Sequence, residues 1–391
     1  MKFADPSTKT AWCVRKWEEA GGIIVGKLNM HEYGLDTTGN NPVTGTCTNP
    51  HNDQYYPGGS SSASATTVAS NLLPLTLGCD GGGSIRIPSS YCGIYGLKTS
   101  HQRIGRKPDI TIDFSSTVCG PMAGSMADLE LGYRIMATSD PSDKANSLFA
   151  PPSIPPSLPS VSQKRRPLGI CKPWFDAADP EVLTLCNDAL AHYASAGYQI
   201  IDISLPYLRE GQVAHALTIT TEAGASVPAS KIRSFTPANQ ILLSVFRQTP
   251  SHDFLLAQKM RSLQMSHLAF LFKQHPGLLI VTPTTPTAGW RIRSPADLSR
   301  GVSDGDMSLR SMTYAWMANF TGCPAISVPV GKAEGRDKGG KVPVGLMAMG
   351  EWGDEEGLIE WGRVAEEWVW REKKMERPGI WVDVLARDGT T

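Results

Sequence analysis

Apolar positions between Ala11 and Ala20 recur at helical spacing until Gly21-Gly22, where Ile23-Ile24-Val25 follows as a short β-branched run of the kind that forms a buried strand. The pattern predicts a helix feeding a sheet. Comparable apolar runs predict strands at Leu75 to Gly78, Gln199 to Ile203, Leu278 to Thr282, Ala325 to Val330 and Val344 to Met349. Helical periodicity lies between several of them, at Pro180 to Ala196 and Asp253 to Gln274, and again at Asp354 to Lys373. Strands that alternate with helices and are apolar on both faces predict an α/β fold whose sheet is covered on both sides. Trp361, Trp368 and Trp370, with Trp352 just ahead, are expected to pack the last helix on that sheet.

The Pro/Ser-rich stretch from Ala150 to Ser160 breaks the pattern and reads as a linker or a surface excursion. Charge adds little, since 37 basic and 37 acidic side chains cancel and no basic block exceeds Lys164-Arg165-Arg166. That balance argues against nucleic acid or an anionic membrane as partner and leaves a small or neutral molecule as the expected one. Eight cysteines without a Cys-x-x-Cys pair are expected to be reduced thiols, and no metal is expected. His31-Glu32 does not extend to a zinc-binding HExxH, because position 35 is Leu. The N-terminus has no signal-like apolar region, and no apolar run reaches the roughly 20 residues of a membrane span, so a cytoplasmic location is expected.

The richest stretch is Pro57 to Lys98, PGGSSSASATTVASNLLPLTLGCDGGGSIRIPSSYCGIYGLK. Its two small-residue clusters, Gly58-Gly59-Ser60-Ser61-Ser62 and Asp80-Gly81-Gly82-Gly83-Ser84, bracket an expected helix and strand. Consecutive glycines let several N–H groups converge on one point, and such a nest beside a serine can hold the oxyanion formed when that serine attacks a carbonyl. A phosphate cradle would need the missing Lys of GxxxxGK[ST], and the hydrolase elbow Gly-x-Ser-x-Gly lacks its second glycine at Arg86. A serine at neutral pH needs a base within hydrogen-bond reach, so a base other than the elbow's histidine is implied. Cys79 and Cys92 flank the second cluster in apolar surroundings with no basic neighbour in sequence and read as inert thiols.

GGSS and DxGGSIRIP, with Ser60 and Ser84 set 24 positions apart, resemble the signature of the amidase signature family of serine hydrolases. The resemblance extends to GIIVGKLNMHEYG at 22–34, TGNNPVTGTCTNP at 38–50, CGIYGLKTSHQRIG at 92–105, GPM at 120–122, TPTTP at 282–286, FTGCPAISVPVG at 320–331 and VPVGLMAMG at 342–350. It covers about 11–368 and implies one amidase-signature domain over 1–391, an α/β fold with a large mixed β-sheet sandwiched by helices. It implies hydrolysis of a carboxylic amide, with Ser84 as the acyl-accepting nucleophile and Ser60 as a cis-serine that relays its proton. Gly81, Gly82 and Gly83, with Ser84, would offer the oxyanion N–H groups, supported by Ser61, Asp80 and Arg86. No cofactor is implied. The implied partner is a small-molecule amide, with no nucleic acid and no membrane, and a homodimer is compatible.

The same resemblance implies a base lysine on a strand further ahead of the cis-serine than the 59 residues that precede Ser60. Lys2 and Lys9 lie too close and lack a following carboxylate, and Lys27 matches a different position of the pattern. The expectation is therefore a chain truncated at its N-terminus, without the catalytic lysine. An inactive remnant and a substitute lysine are the other readings, and the glutaminase subunit of a tRNA-dependent amidotransferase is the alternative function within the family. Two departures from the pattern carry expectations of their own: Ala63 should tighten the start of its helix, and the extra glycine at 81 should loosen the oxyanion loop.

Overall fold

The computed structural model describes residues 10–108, 113–152, 165–300 and 304–381. One eight-stranded sheet organises the molecule: β1 (Leu75–Asp80), β2 (Tyr95–Lys98), β3 (Val118–Ala123), β4 (Leu168–Ile170), β5 (Ile200–Asp202), β6 (Leu279–Pro283), β7 (Ala325–Glu334) and β8 (Lys341–Met349). Their spatial order is β1-β3-β2-β7-β8-β6-β4-β5. Pairing is antiparallel from β1 through β6 and parallel where β4 joins β6 and β5, so the sheet is mixed.

Helices cover both faces. On β7, Ile326 reaches Gly362 in the helix Glu355–Arg371, while the next residue, Ser327, lies with Ser90 against Gly345, on the side of a short helix, Arg86–Cys92. Successive side chains of a strand point to opposite faces, and the core therefore forms in two layers. Trp361 and Trp368 are buried and Trp361 stacks on Tyr193 with ring centroids 4.9 Å apart, as the sequence predicts for this helix. Trp352 instead lies half exposed against Phe149.

One predicted strand is absent and three observed strands go unpredicted. Ile23-Ile24-Val25 is irregular and Ile23 is 88% exposed, because no described strand lies beside it to take its backbone hydrogen bonds. Strands β2, β3 and β4 do not stand out in the sequence, since they are three to six residues long and all three contain glycine, with Pro121 also in β3. The Ala150–Ser160 linker lies mostly outside the described residues. Among the described residues no helix is long and apolar enough to cross a membrane.

Candidate active site

The helix Trp12–Glu19 is α1, Ser62–Ala69 is α2 and Arg86–Cys92 is α3. β1 ends at Asp80, and residues 81–84 turn the chain into α3. Asp80 fixes that turn. Its Oδ1 accepts from the Gly83 N–H at 2.7 Å, and its Oδ2 accepts from the Ile85 N–H at 3.1 Å. Arg86 closes a two-pronged ion pair on the same carboxylate, Nη2 to Oδ1 at 2.9 Å and Nε to Oδ2 at 3.0 Å. Both side chains are fully buried. The remaining guanidinium protons go to the Ala315 carbonyl, Met347 Sδ and Asn319 Oδ1, while Asn319 Nδ2 donates to the Asp80 carbonyl. Burial alone would push the Asp80 carboxyl up, but the charge and hydrogen bonds of Arg86 hold it at about 2.

Each glycine of the turn has a distinct constraint. Gly83 has φ +122°, and a Cβ there would come within 2.7 Å of Ile87 Cδ1. At Gly81 a Cβ would meet Thr117 Oγ1 at 2.5 Å and Asp113 Oδ2 at 2.6 Å. The expectation that Gly81 loosens the loop is thus corrected: Asp113 and Thr117 occupy the space beside it. The Gly81 carbonyl accepts from His215 Nε2 at 2.9 Å. Burial pushes His215 down to about 4, so a neutral ring makes this bond. Because a trans peptide sets N–H opposite C=O, anchoring the Gly81 carbonyl turns the Gly82 N–H away from His215.

The Gly83 N–H was expected to face an oxyanion, and its bond to Asp80 corrects that expectation. Among the described residues the N–H groups of Gly81, Gly82 and Ser84 have no hydrogen-bond acceptor.

The second serine cluster lies against this turn. The Ser61 N–H donates to the Ser84 carbonyl at 3.1 Å, and Ser61 Oγ accepts from the Cys79 N–H and donates to the Cys79 carbonyl. The Gly59–Ser60 peptide is cis. The Ser60 carbonyl accepts from the His31 and Ser62 N–H groups, each at 2.9 Å. Ser60 and Ser84 are both buried, at 3% and 9% exposure, and neither hydroxyl has a hydrogen-bond partner among the described residues. His31 and Glu32 turn to different partners: His31 Nδ1 accepts from the Asn40 N–H, and Glu32 binds Thr236 and Asn239. The site's far wall carries Met312, whose Sδ stands 3.1 Å from where a Gly82 Cβ would be.

Sequence reasoning missed His215, Asp113, Thr117, Asn319 and Met312, which come from distant segments with no local motif. It also passed over Lys98, a fully buried lysine at the end of β2. Its Nζ donates to the carbonyls of Thr99 and Cys323, at 2.9 and 2.5 Å, and not to either serine. Burial, and then the Arg86 charge, push Lys98 down to about 7. Lys2 and Lys9 lie outside the described residues, and Lys27 is exposed.

The family model described as "Amidase" matches residues 2–359. The chain belongs to the amidase family. Among its curated amidase relatives are the Medicago truncatula protein named fatty acid amide hydrolase, 35% identical over 97% of this chain and 62% of that protein, and the Oryza sativa subsp. japonica protein of the same name, 37% identical over 96% and 62%. A Geobacter metallireducens protein, named as one of the subunits of glutamyl-tRNA(Gln) amidotransferase, is 30% identical over 95% and 79%. The chain spans 62% of the length of the first two. Among solved structures, 6-aminohexanoate cyclic dimer hydrolase superposes with a TM-score of 0.78 at 22% identity, covering 95% of this chain and 79% of that one, which establishes the shared fold. As in that family, the chain is an α/β protein with one mixed sheet, and family members hydrolyse C–N bonds.

Proposed function

We propose that this amidase-family chain hydrolyses a carboxylic amide through an acyl-enzyme on Ser84. Ser84 Oγ attacks the amide carbon as its proton passes through the Ser60 hydroxyl toward the leaving nitrogen. The amine departs, and water then cleaves the ester. The observation that carries this reading is the Ser61 N–H to Ser84 carbonyl bond, which joins the two serine loops beside three N–H groups with no described acceptor. In this reading Gly81, Gly82 and Ser84 donate to the oxyanion, and Gly83 holds the loop through Asp80. A preorganised donor of this kind contributes about 3–4 kcal/mol to the transition state. Lys98, turned to two carbonyls, is not the base in this reading.

An apolar acyl group suits the site best. Met312 stands beside Gly82 and packs with Ile87, Tyr91 and Trp290 in one cluster, and the relatives with 34–37% identity carry the name fatty acid amide hydrolase. The 30% match to a protein of the glutamyl-tRNA(Gln) amidotransferase favours glutamine as the second reading, with ammonia passed to a partner. An activated fluorophosphonate should label the wild-type chain on Ser84 and leave Ser84→Ala unlabelled. Equal labelling of the two would remove Ser84 from the mechanism. Release of ammonia from glutamine faster than from a long-chain primary amide would favour the second reading.

A further inference from the structure

Three cysteines far apart in sequence meet beneath the nucleophile turn. Cys79 of β1 lies directly opposite Cys119 of β3 in the antiparallel register, and their sulfurs are 3.4 Å apart. Cys13 of α1, 1% exposed, adds a third thiol hydrogen-bonded to Cys119. The start of α1 is fastened to the segment that carries Arg106, through the Trp12 N–H to the Lys107 carbonyl and the Cys13 N–H to the Gly105 carbonyl. Arg106 also hydrogen-bonds Cys119. The sequence surroundings from which Cys79 reads as inert do not include Cys119, which lies 40 residues away in the chain. Cys92 fits that expectation: burial pushes its thiol well up.

The Cys13 and Cys79 thiols, followed by the Arg106 charge, hold Cys119 well below the usual thiol range against the opposing effect of burial. Arg106, which touches Cys119, also lines a cavity of ≈ 210 Å³ together with Ile104, Thr117 and Val118. Among the described residues no group of His, Cys, Asp and Glu could hold a metal ion, so a metal does not account for the cluster.

We propose that Cys79 and Cys119 form a modification site, a dithiol that hydrogen peroxide converts to a disulfide across β1 and β3. The Cys119 thiolate attacks one peroxide oxygen, the O–O bond breaks, and the departing hydroxide takes up a proton to leave as water. Cys119 is now a sulfenic acid. The Cys79 thiol gives up its proton and attacks Cys119 Sγ, the S–O bond breaks, and a second water leaves. The two sulfurs supply the two electrons that reduce the peroxide. Directly opposed residues of an antiparallel pair have Cα atoms about 4.5–5.5 Å apart, inside the range a disulfide spans. The effect reaches the serine site through the Cys79 backbone, which Ser61 binds while also holding the Ser84 carbonyl.

The test is by mass and holds whether or not the chain is an amidase. The full chain, reduced and desalted, is treated with hydrogen peroxide while folded, then unfolded in guanidinium chloride containing N-ethylmaleimide so that every remaining thiol is alkylated, and digested. The expected result is the loss of two alkylatable thiols and two hydrogens, with one linked peptide pair carrying Cys79 and Cys119 that dithiothreitol releases. Oxidation should run about tenfold faster than at Cys47, which is partly exposed and whose thiol burial pushes up. In the double variant Cys13→Ser, Cys79→Ser, which removes both thiols beside Cys119, the sulfenic acid should persist on Cys119 and react with dimedone. Eight alkylated thiols after treatment, oxidation confined to Cys47, or linkage of Cys119 to Cys13 would each overturn the proposal, and the wild-type measurement decides even if the variant does not fold.

Discussion

At the scale of single residues, the site depends on atoms that have no slack. Gly83 combines a φ of +122° with neighbours at 2.7 and 2.8 Å from an added Cβ, the side chains of Ile87 and Ala315. Gly83→Ala therefore meets both backbone strain and a clash, and a loss of about 1–3 kcal/mol in urea unfolding is expected, together with loss of fluorophosphonate labelling. Unchanged labelling in a folded Gly83→Ala chain would show that the turn is less constrained than its contacts indicate. Asp80→Asn tests the other half of the turn. The amide keeps an acceptor for one N–H but leaves the fully buried Arg86 without a countercharge, and stability should fall by about 3–5 kcal/mol. A loss below about 1 kcal/mol would show that Asn319 and the Ala315 carbonyl suffice for Arg86.

At the scale of elements, the helix Glu355–Arg371 is held by Trp361, fully buried, stacked on Tyr193 and with its backbone carbonyl accepting from the Tyr193 hydroxyl. Among the described residues the indole Nε1 has no hydrogen-bond partner, so what Trp361 contributes is apolar area and stacking. Trp361→Ala is expected to cost about 3–5 kcal/mol, and Trp361→Phe only about 1–2 kcal/mol, because no hydrogen bond goes with the indole. Equal losses for the two, measured by urea unfolding, would contradict this account. This helix was legible because its apolar positions repeat with helical period over 17 residues. Ile23-Ile24-Val25 carried a strand's local signal but has no described neighbour, and strand formation needs a second chain segment that local pattern cannot report. The same limit governs the site. Ser60, Ser84 and the glycines sit in one contiguous block and could be read from it, whereas His215, Asp113 and the Cys13–Cys79–Cys119 contact exist only because the sheet brings remote segments together. The commitment of the Gly83 N–H to Asp80 follows from the course of the turn, which composition alone does not specify.

At the scale of the whole molecule, buried titratable groups set how stability changes with pH, and their contributions have opposite signs. His51, His101 and His215 are each pushed from 6.5 down to about 4, chiefly by burial, and His31 shifts the same way. Between pH 4 and 6.5 the unfolded chain binds protons that the folded chain does not, so these groups make stability rise with pH. Lys98, pushed from 10.5 to about 7, does the same across the window from pH 7 to 10.5. Asp113 runs the other way. Burial raises its carboxyl from 3.8 to about 7, with the Glu222 charge adding to the rise, while Thr117 Oγ1, which donates to Asp113 Oδ2 at 2.5 Å, and the Arg106 charge oppose it. Its stabilising contribution is full below pH 3.8 and is lost as pH rises through 7, because the folded chain retains a proton that the unfolded chain has released. Asp113→Asn keeps the acceptor for Thr117 and removes the titration, so it isolates this one proton from the histidines. The stability difference between wild type and Asp113→Asn should shift against wild type by up to about 1.4 kcal/mol per pH unit between those limits and stay level outside them. Urea unfolding of both chains from about pH 4 to 9 measures it. A difference that stays constant over that whole span would mean that Asp113 is ionised in the fold, and that the side chain packed against Gly81 sets a negative charge, not a neutral acid, beside the N–H groups assigned to the oxyanion.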